Sequence, residues 1–247
     1  MKTQLTCAWT LAVINATNCL VLGQVQLSLN NLVVSQPQKP QPTAQQPPVN
    51  SRPPDRKPTG TRGPCEETAG VPFTPLLPPR SSDFLVPTIT NHPTFWFYVP
   101  YSSQSVSYGT FSLEDAAGNR LYKMDFKLPE IPGIVSVNLP NERKFLEVNQ
   151  TYRWHFRLYC SSQTLSGSNS VFHTGLVKRV ERGNLEAQLQ AATIENRAAI
   201  YINNQLWHNM PDLAQIRSRP NDWVNILKAM DLEELKEKNI AGSVLPR

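Results

Sequence analysis

Apolar and polar side chains alternate along several stretches in the middle of the chain. In LYKMDFKL (121–128) the apolar set is Tyr122, Met124, Phe126 and Leu128, and the polar set is Lys123, Asp125 and Lys127. A period of two is typical of a β-strand with one face toward solvent. The preceding run, Thr110 to Glu114, is followed by the Gly- and Asn-containing turn DAAGNR. The two runs therefore predict a β-hairpin.

The longest alternation lies in TYRWHFRLYC (151–160). One predicted face carries Tyr152, Trp154, Phe156, Leu158 and Cys160, and the other carries Arg153, His155 and Arg157. Tyr152 begins this strand after a polar turn that follows Leu146. This placement resembles the tyrosine corner of immunoglobulin-like sandwiches, in which the Tyr hydroxyl bonds a nearby backbone group.

The stretch TFWFYV (94–99) does not alternate, because every residue after Thr94 is apolar or aromatic. A continuous apolar run predicts a strand that is covered on both faces. We expect one face to line the core of a sandwich: Phe95, Phe97 and Val99. The other face would lie under the helices that follow Asn184 or under the segment near Phe73. The alternative is a ligand-stacking surface made of Trp96, Tyr98 and Tyr101.

These runs, with IVSVNLP (134–140) and VFHTGLVKRV (171–180), predict an immunoglobulin-like β-sandwich of about seven strands over residues 65–182. Its first part is a Pro-rich segment. Residues 183–247 have helical periodicity and predict a docked helical hairpin and a third helix. Within them, Asp231 and Glu234 form a candidate capping box, and Gly242 is a candidate helix stop.

The first 64 residues have a different composition. Residues 1–23 contain a short basic start and an interrupted apolar run, which favours a signal peptide. Residues 24–64 are rich in Pro and Gln and predict a disordered basic linker. The first 64 residues together carry the net charge of +5, since 18 basic and 18 acidic residues remain from Cys65 onward. A neutral body argues against a nucleic-acid-binding domain.

Cysteine usage agrees with export. Cys7 and Cys19 lie within the predicted signal peptide, which leaves Cys65 and Cys160. An even pair in an oxidising compartment predicts one disulfide. We therefore expect a periplasmic or extracellular protein without an integral membrane span after signal removal.

Candidate chemistry is sparse. The four histidines are not spaced as metal motifs require, there is no CxxC, no GxSxG and no phosphate-binding Gly loop, and the paired acids are adjacent on the chain. We predict no metal, no cofactor and no catalytic residue. A hydrolase with an unrecognised site stays as an alternative.

Six motifs in order carry a family resemblance: TRGPC (61–65), NHPTFWFYVPYS (91–102), PGIVSVNLP (132–140), TYRWHFRLYC (151–160), VFHTGLVKRV (171–180) and AAIYINNQLWHNMPDLAQIR (198–217). The set resembles a cyanobacterial family of exported proteins known as domain of unknown function 928, over about residues 60 to 240. The resemblance implies an envelope or secreted location and no established activity. It favours a non-enzymatic module that binds another envelope or secreted protein. The alternative is a glycan- or peptidoglycan-binding module that uses aromatic residues.

Overall fold

The computed structural model describes residues 60–61, 65, 70–79, 85–142, 144–161 and 170–247. The predicted signal peptide and most of the predicted linker lie outside these residues. Within them the chain forms two β-sheets and a C-terminal set of helices. This confirms the predicted β-sandwich followed by helices.

The larger sheet contains the strongly alternating strands. Its members are β1 (Gly60–Thr61), β3 (Leu85–Thr88), β5 (Val106–Glu114), β6 (Arg120–Lys127), β8 (Thr151–Cys160), β9 (Ser170–Arg179) and β11 (Leu245–Pro246). The strand order is β1-β9-β8-β5-β6-β11, and β3 also pairs with β9. The β5–β6 pairing is antiparallel, as the predicted hairpin requires. The β3–β9 pairing is parallel.

The smaller sheet has the order β10-β7-β4-β2. Its strands are β2 (Thr74–Pro75), β4 (Thr94–Val99), β7 (Gly133–Asn138) and β10 (Ile240–Ser243). All six residues of β4 are buried. Phe97 of this strand packs against Phe156 and Trp154 of β8, with ring centroids 4.1 Å and 5.4 Å away. The two sheets therefore pack face to face around an aromatic core.

The tyrosine corner is confirmed. The backbone N–H of Glu147 donates a hydrogen bond of 2.8 Å to the hydroxyl of Tyr152. This bond links the loop before β8 to the second residue of the strand. It therefore fixes the position at which β8 begins.

The helices are α1 (Leu185–Ala191), α2 (Ile194–Asn204), α3 (Leu213–Arg217) and α4 (Pro220–Ala229). A buried carboxylate links the first three, because Asp212 accepts hydrogen bonds of 3.1 Å from both Arg197 and Tyr201. The Arg197 guanidinium also donates to the carbonyl oxygens of Leu189 and Ala192. Among the helices of the described residues, none combines the length and apolar character that a membrane span requires.

The helix expected from the Asp231 capping box is absent. Residues 231–242 form a single 3-10 turn, Glu233–Leu235, without a side-chain cap, and then the strand β10. Asp231 has a positive φ of 54°, which interrupts a helix at this point. The chain after the turn returns to the sandwich instead, since β10 pairs with β7 and β11 pairs with β6.

The segment 206–210 connects the helices to the smaller sheet. It is buried throughout. The Trp96 indole N–H donates to the carbonyl oxygen of Met210 at 2.9 Å, and the Thr94 backbone N–H donates to that of His208 at 2.9 Å. The same segment also reaches the larger sheet, because the Thr88 hydroxyl of β3 donates to the Asn209 side-chain oxygen at 2.8 Å.

Candidate functional site

The aromatic residues proposed as a ligand-stacking surface lie inside the protein. Trp96 and Tyr101 are 7% exposed and Tyr98 is 5% exposed. Trp96 is held by its bond to Met210, and the Lys238 ammonium lies 5.5 Å from the centre of the Tyr98 ring. Residues after Asn184 cover the outer face of β4. This is one of the two arrangements that the sequence predicted, the other being cover by the segment near Phe73. Trp96 and Tyr98 are therefore part of the packing between the smaller sheet and the C-terminal part, and Tyr101 is also buried.

The two cysteines expected to pair are at disulfide-bonding distance. The sulfurs of Cys65 and Cys160 are joined, and their Cα atoms are 5.1 Å apart. Cys160 is the last residue of β8, so the bond holds the N-terminal Pro-rich segment at the end of the central strand. In the same segment Phe73 and Leu76 are at most 1% exposed, which shows that this stretch lies on the body.

The histidines do not converge. His173 and His208 are buried in the core, whereas His155 lies on the outer side of β8. Among the described residues, no group of three or more His, Cys, Asp or Glu side chains is arranged to hold a metal ion.

The outer face of the larger sheet carries a group of Lys and Arg side chains. Strand register places its side chains in rows across β6, β5, β8 and β9. One row is Asp125, Thr110, Arg157 and Phe172, and the next is Lys123, Ser112, His155 and Thr174. We call this surface the basic face. Its cations are Arg120, Lys123, Lys127, Arg153, Arg157, Lys178 and Arg247, and its acids are Glu114 and Asp125.

Both acids of the basic face already lie beside basic side chains of the same face. Glu114 lies 3.4 Å from His155 and 4.0 Å from Arg120, and Asp125 lies 3.1 Å from Lys123. The other cations form no ion pair with a carboxylate of the described residues: Lys127, Arg153, Arg157, Lys178 and Arg247. Among the described residues, the face therefore carries more positive than negative charge, although the body as a whole is neutral.

Aromatic rings position two of these cations. The Tyr108 and Tyr159 rings stack with centroids 4.3 Å apart and an angle of 14°, and the Arg247 guanidinium lies 5.3 Å from the Tyr108 centroid. The Arg157 guanidinium lies 4.5 Å from the centre of the Phe172 ring. Cation–π contacts of this kind hold an arginine in place without using its N–H groups. Arg157 donates one of these groups to the Ser170 hydroxyl at 3.3 Å, and its others can bind an anion.

The imidazole of His155 is kept neutral. Burial among its neighbours lowers its pKa, and the positive charges of Arg153 and Arg157 lower it further, against the opposing effect of Glu114. At neutral pH the positive charge of the basic face therefore comes from Arg and Lys.

Sequence analysis identified the separate parts of this face but not the face. It predicted polar sides for LYKMDFKL and for TYRWHFRLYC, and it missed Tyr108 and Tyr159 as exposed aromatics. The neutral net charge of the body did not indicate this surface, because a net charge does not show how charges are distributed. The available signal was that the polar sides of both runs are dominated by Lys and Arg.

Fold and face together define a disulfide-linked β-sandwich that is backed by helices on one side and exposes a basic sheet face on the other. The chain belongs to the family described as Domain of Unknown Function (DUF928), whose model matches residues 57–240. Neither a curated protein nor a solved structure matches the chain.

Proposed function

We propose that this protein acts outside the cytoplasm as a non-enzymatic binding module, with the basic face as its binding surface. Its partner is a negatively charged component of the cell envelope or of secreted material. The predicted signal peptide and the Cys65–Cys160 pair support an exported location, since disulfides persist in oxidising compartments.

The observation that carries the proposal is the group of five cations without a described acidic partner on one sheet face. A surface of one sign attracts oppositely charged ligands and accelerates their association. The helices lie on the opposite side of the sandwich, so they leave this face accessible to a large partner.

The test is sedimentation of the mature protein with envelope fragments from the source cells. A face variant combines Lys127→Gln, Arg153→Gln and Arg157→Gln. A matched control variant combines Lys144→Gln, Lys228→Gln and Lys236→Gln, which removes the same charge from exposed positions elsewhere. We expect the wild type and the control variant to sediment with the fragments and the face variant to stay in the supernatant.

Two outcomes would overturn the proposal. One is that the wild type does not sediment with the fragments at low salt. The other is that the face variant and the control variant lose binding equally, since net charge and not the basic face would then explain the interaction.

A further inference from the structure

The spacing of the cations that have no acidic partner among the described residues indicates the size of the ligand. Arg153 and Arg157 are four residues apart on β8, which corresponds to about 13 Å along the strand. Lys127 lies on β6, two strands away, at about 10 Å across the sheet. A single small anion spans neither distance. The ligand that engages these cations together is therefore extended and carries repeated negative charges.

The centre of the basic face is rich in hydroxyl groups. Thr110, Ser112 and Thr174 stand between the charged residues. Of the exposed large apolar residues of the described chain, Ile131 and Val148 lie outside the strands of the larger sheet, and Leu245 of β11 pairs with Lys127 at the edge of the face. Protein–protein interfaces usually have an apolar centre with a polar rim. The basic face has the reverse arrangement, a polar centre with an apolar residue at its edge, which disfavours a folded protein as the ligand.

The aromatic rings on the face are engaged with each other and with arginines. Tyr108 has Tyr159 and Arg247 as ring neighbours, and Phe172 lies under Arg157. Single-stranded nucleic acids bind largely by stacking bases on open rings. The rings here serve to position cations, so the available contacts are charge and hydroxyl hydrogen bonds.

We propose that the basic face binds an acidic polysaccharide, which lies across strands β6, β5, β8 and β9. Its carboxylate or sulfate groups would pair with Lys127, Arg153 and Arg157, and its hydroxyl groups would bond the Thr and Ser side chains between them. Arginine suits this role because its planar group binds such anions through two N–H bonds. This inference rests on the proposed function and names the ligand class.

The experiment measures affinity for immobilised polymers at fixed ionic strength. The probes are polygalacturonate, dextran sulfate, neutral dextran, poly-L-glutamate and single-stranded DNA. We expect binding to polygalacturonate or dextran sulfate, tighter by about tenfold or more than to poly-L-glutamate and DNA. Neutral dextran should not bind. The face variant should lose about tenfold or more in affinity and show a shallower salt dependence, while the control variant should not change.

Equal affinity for DNA, for poly-L-glutamate and for the acidic polysaccharides would overturn the inference, because the face would then recognise charge alone. So would the absence of binding to both acidic polysaccharides. If envelope fragments still sediment with the wild type and not with the face variant in that case, the inference fails while the proposed function stands. Melting temperatures confirm that both variants fold, and the salt dependence of the wild type tests the charge contribution without any substitution.

Discussion

At the scale of single residues, burial decides the roles of the aromatic and titratable groups. Trp96 and Tyr98 occupy positions that would be polar in a strand with one open face, because both faces of β4 are covered. Their neighbours Phe95 and Phe97 fill the sandwich core. Tyr108 and Tyr159 lie on alternating strands with one open side and stay half-exposed. Residue type alone does not distinguish these two groups, since each contains tyrosine.

Trp96→Ala should lower the free energy of unfolding by roughly 3–5 kcal/mol, because it empties a buried site and removes the bond to Met210. Chemical denaturation followed by circular dichroism measures this loss. Ile131→Ala is the control, since Ile131 is 62% exposed and should change stability by less than about 0.5 kcal/mol. A stable Trp96→Ala protein that loses affinity for a glycan would instead favour a stacking role for this ring.

His208 should make the protein less stable in acid. Burial lowers its pKa to about 3 in the folded state, against about 6.5 in the unfolded chain. Below pH 6.5 the unfolded chain binds a proton that the folded state does not accept until about pH 3. The free energy of unfolding should thus fall as the pH falls, by about 2 kcal/mol between pH 8 and pH 5 from this group.

The comparison of wild type with His208→Gln isolates this contribution, because all other groups titrate in both proteins. The variant should show a shallower loss of stability between pH 8 and pH 5 in urea titrations. Parallel curves for the two proteins would show that His208 does not take up the proton on unfolding.

At the scale of elements, the central strand β8 organises the sandwich. It is paired on both sides, by β5 and β9. Tyr152 anchors its start to the preceding loop, and Cys160 anchors its end to the Pro-rich segment. Glycine permits close packing beside it, since a Cβ at Gly175 would lie 2.3 Å from the Trp154 ring. The strand is therefore restrained at both ends and along its inner face.

The Cys65–Cys160 bond should stabilise the protein by up to about 4–5 kcal/mol, because it closes a loop with a sequence separation of 95. Replacing both cysteines with Ser, or reducing the bond, should lower the free energy of unfolding, measured by guanidinium denaturation, by a comparable amount. Alkylation of the non-reduced mature protein should find no free thiol. Two free thiols in protein from its native compartment would contradict the prediction.

At the scale of the whole molecule, the C-terminal part completes the sandwich rather than following it. The segment 206–210 covers Trp96, β10 extends the smaller sheet beside β7, and β11 extends the larger sheet beside β6. The basic face is also a property at this scale. It exists because β6 and β8 are both neighbours of β5 and present their charged sides in the same direction.

A chain that ends after residue 183 should fail to form a native core, because it exposes Trp96 and Tyr98 and leaves β7 without β10. We expect loss of the near-ultraviolet circular dichroism signal and binding of a hydrophobic dye. The whole chain should unfold in one transition by both far- and near-ultraviolet signals. A chain lacking residues 24–55, within the predicted linker, is the control and should keep its melting temperature. A truncated protein with a cooperative transition would show that the sandwich folds independently.

Local side-chain direction was readable from the sequence alone. The period of two identified β6 and β8, the unbroken run identified β4 as covered on both faces, and the position of Tyr152 predicted its backbone bond. Each of these depends on residues that are close together on the chain. The strands β10 and β11, the cover of Trp96 and the basic face depended on pairing between distant segments, because adjacency in a sheet is set by long-range contacts and not by local periodicity. For the same reason, the net charge of the body did not reveal that five cations without an acidic partner among the described residues share one surface.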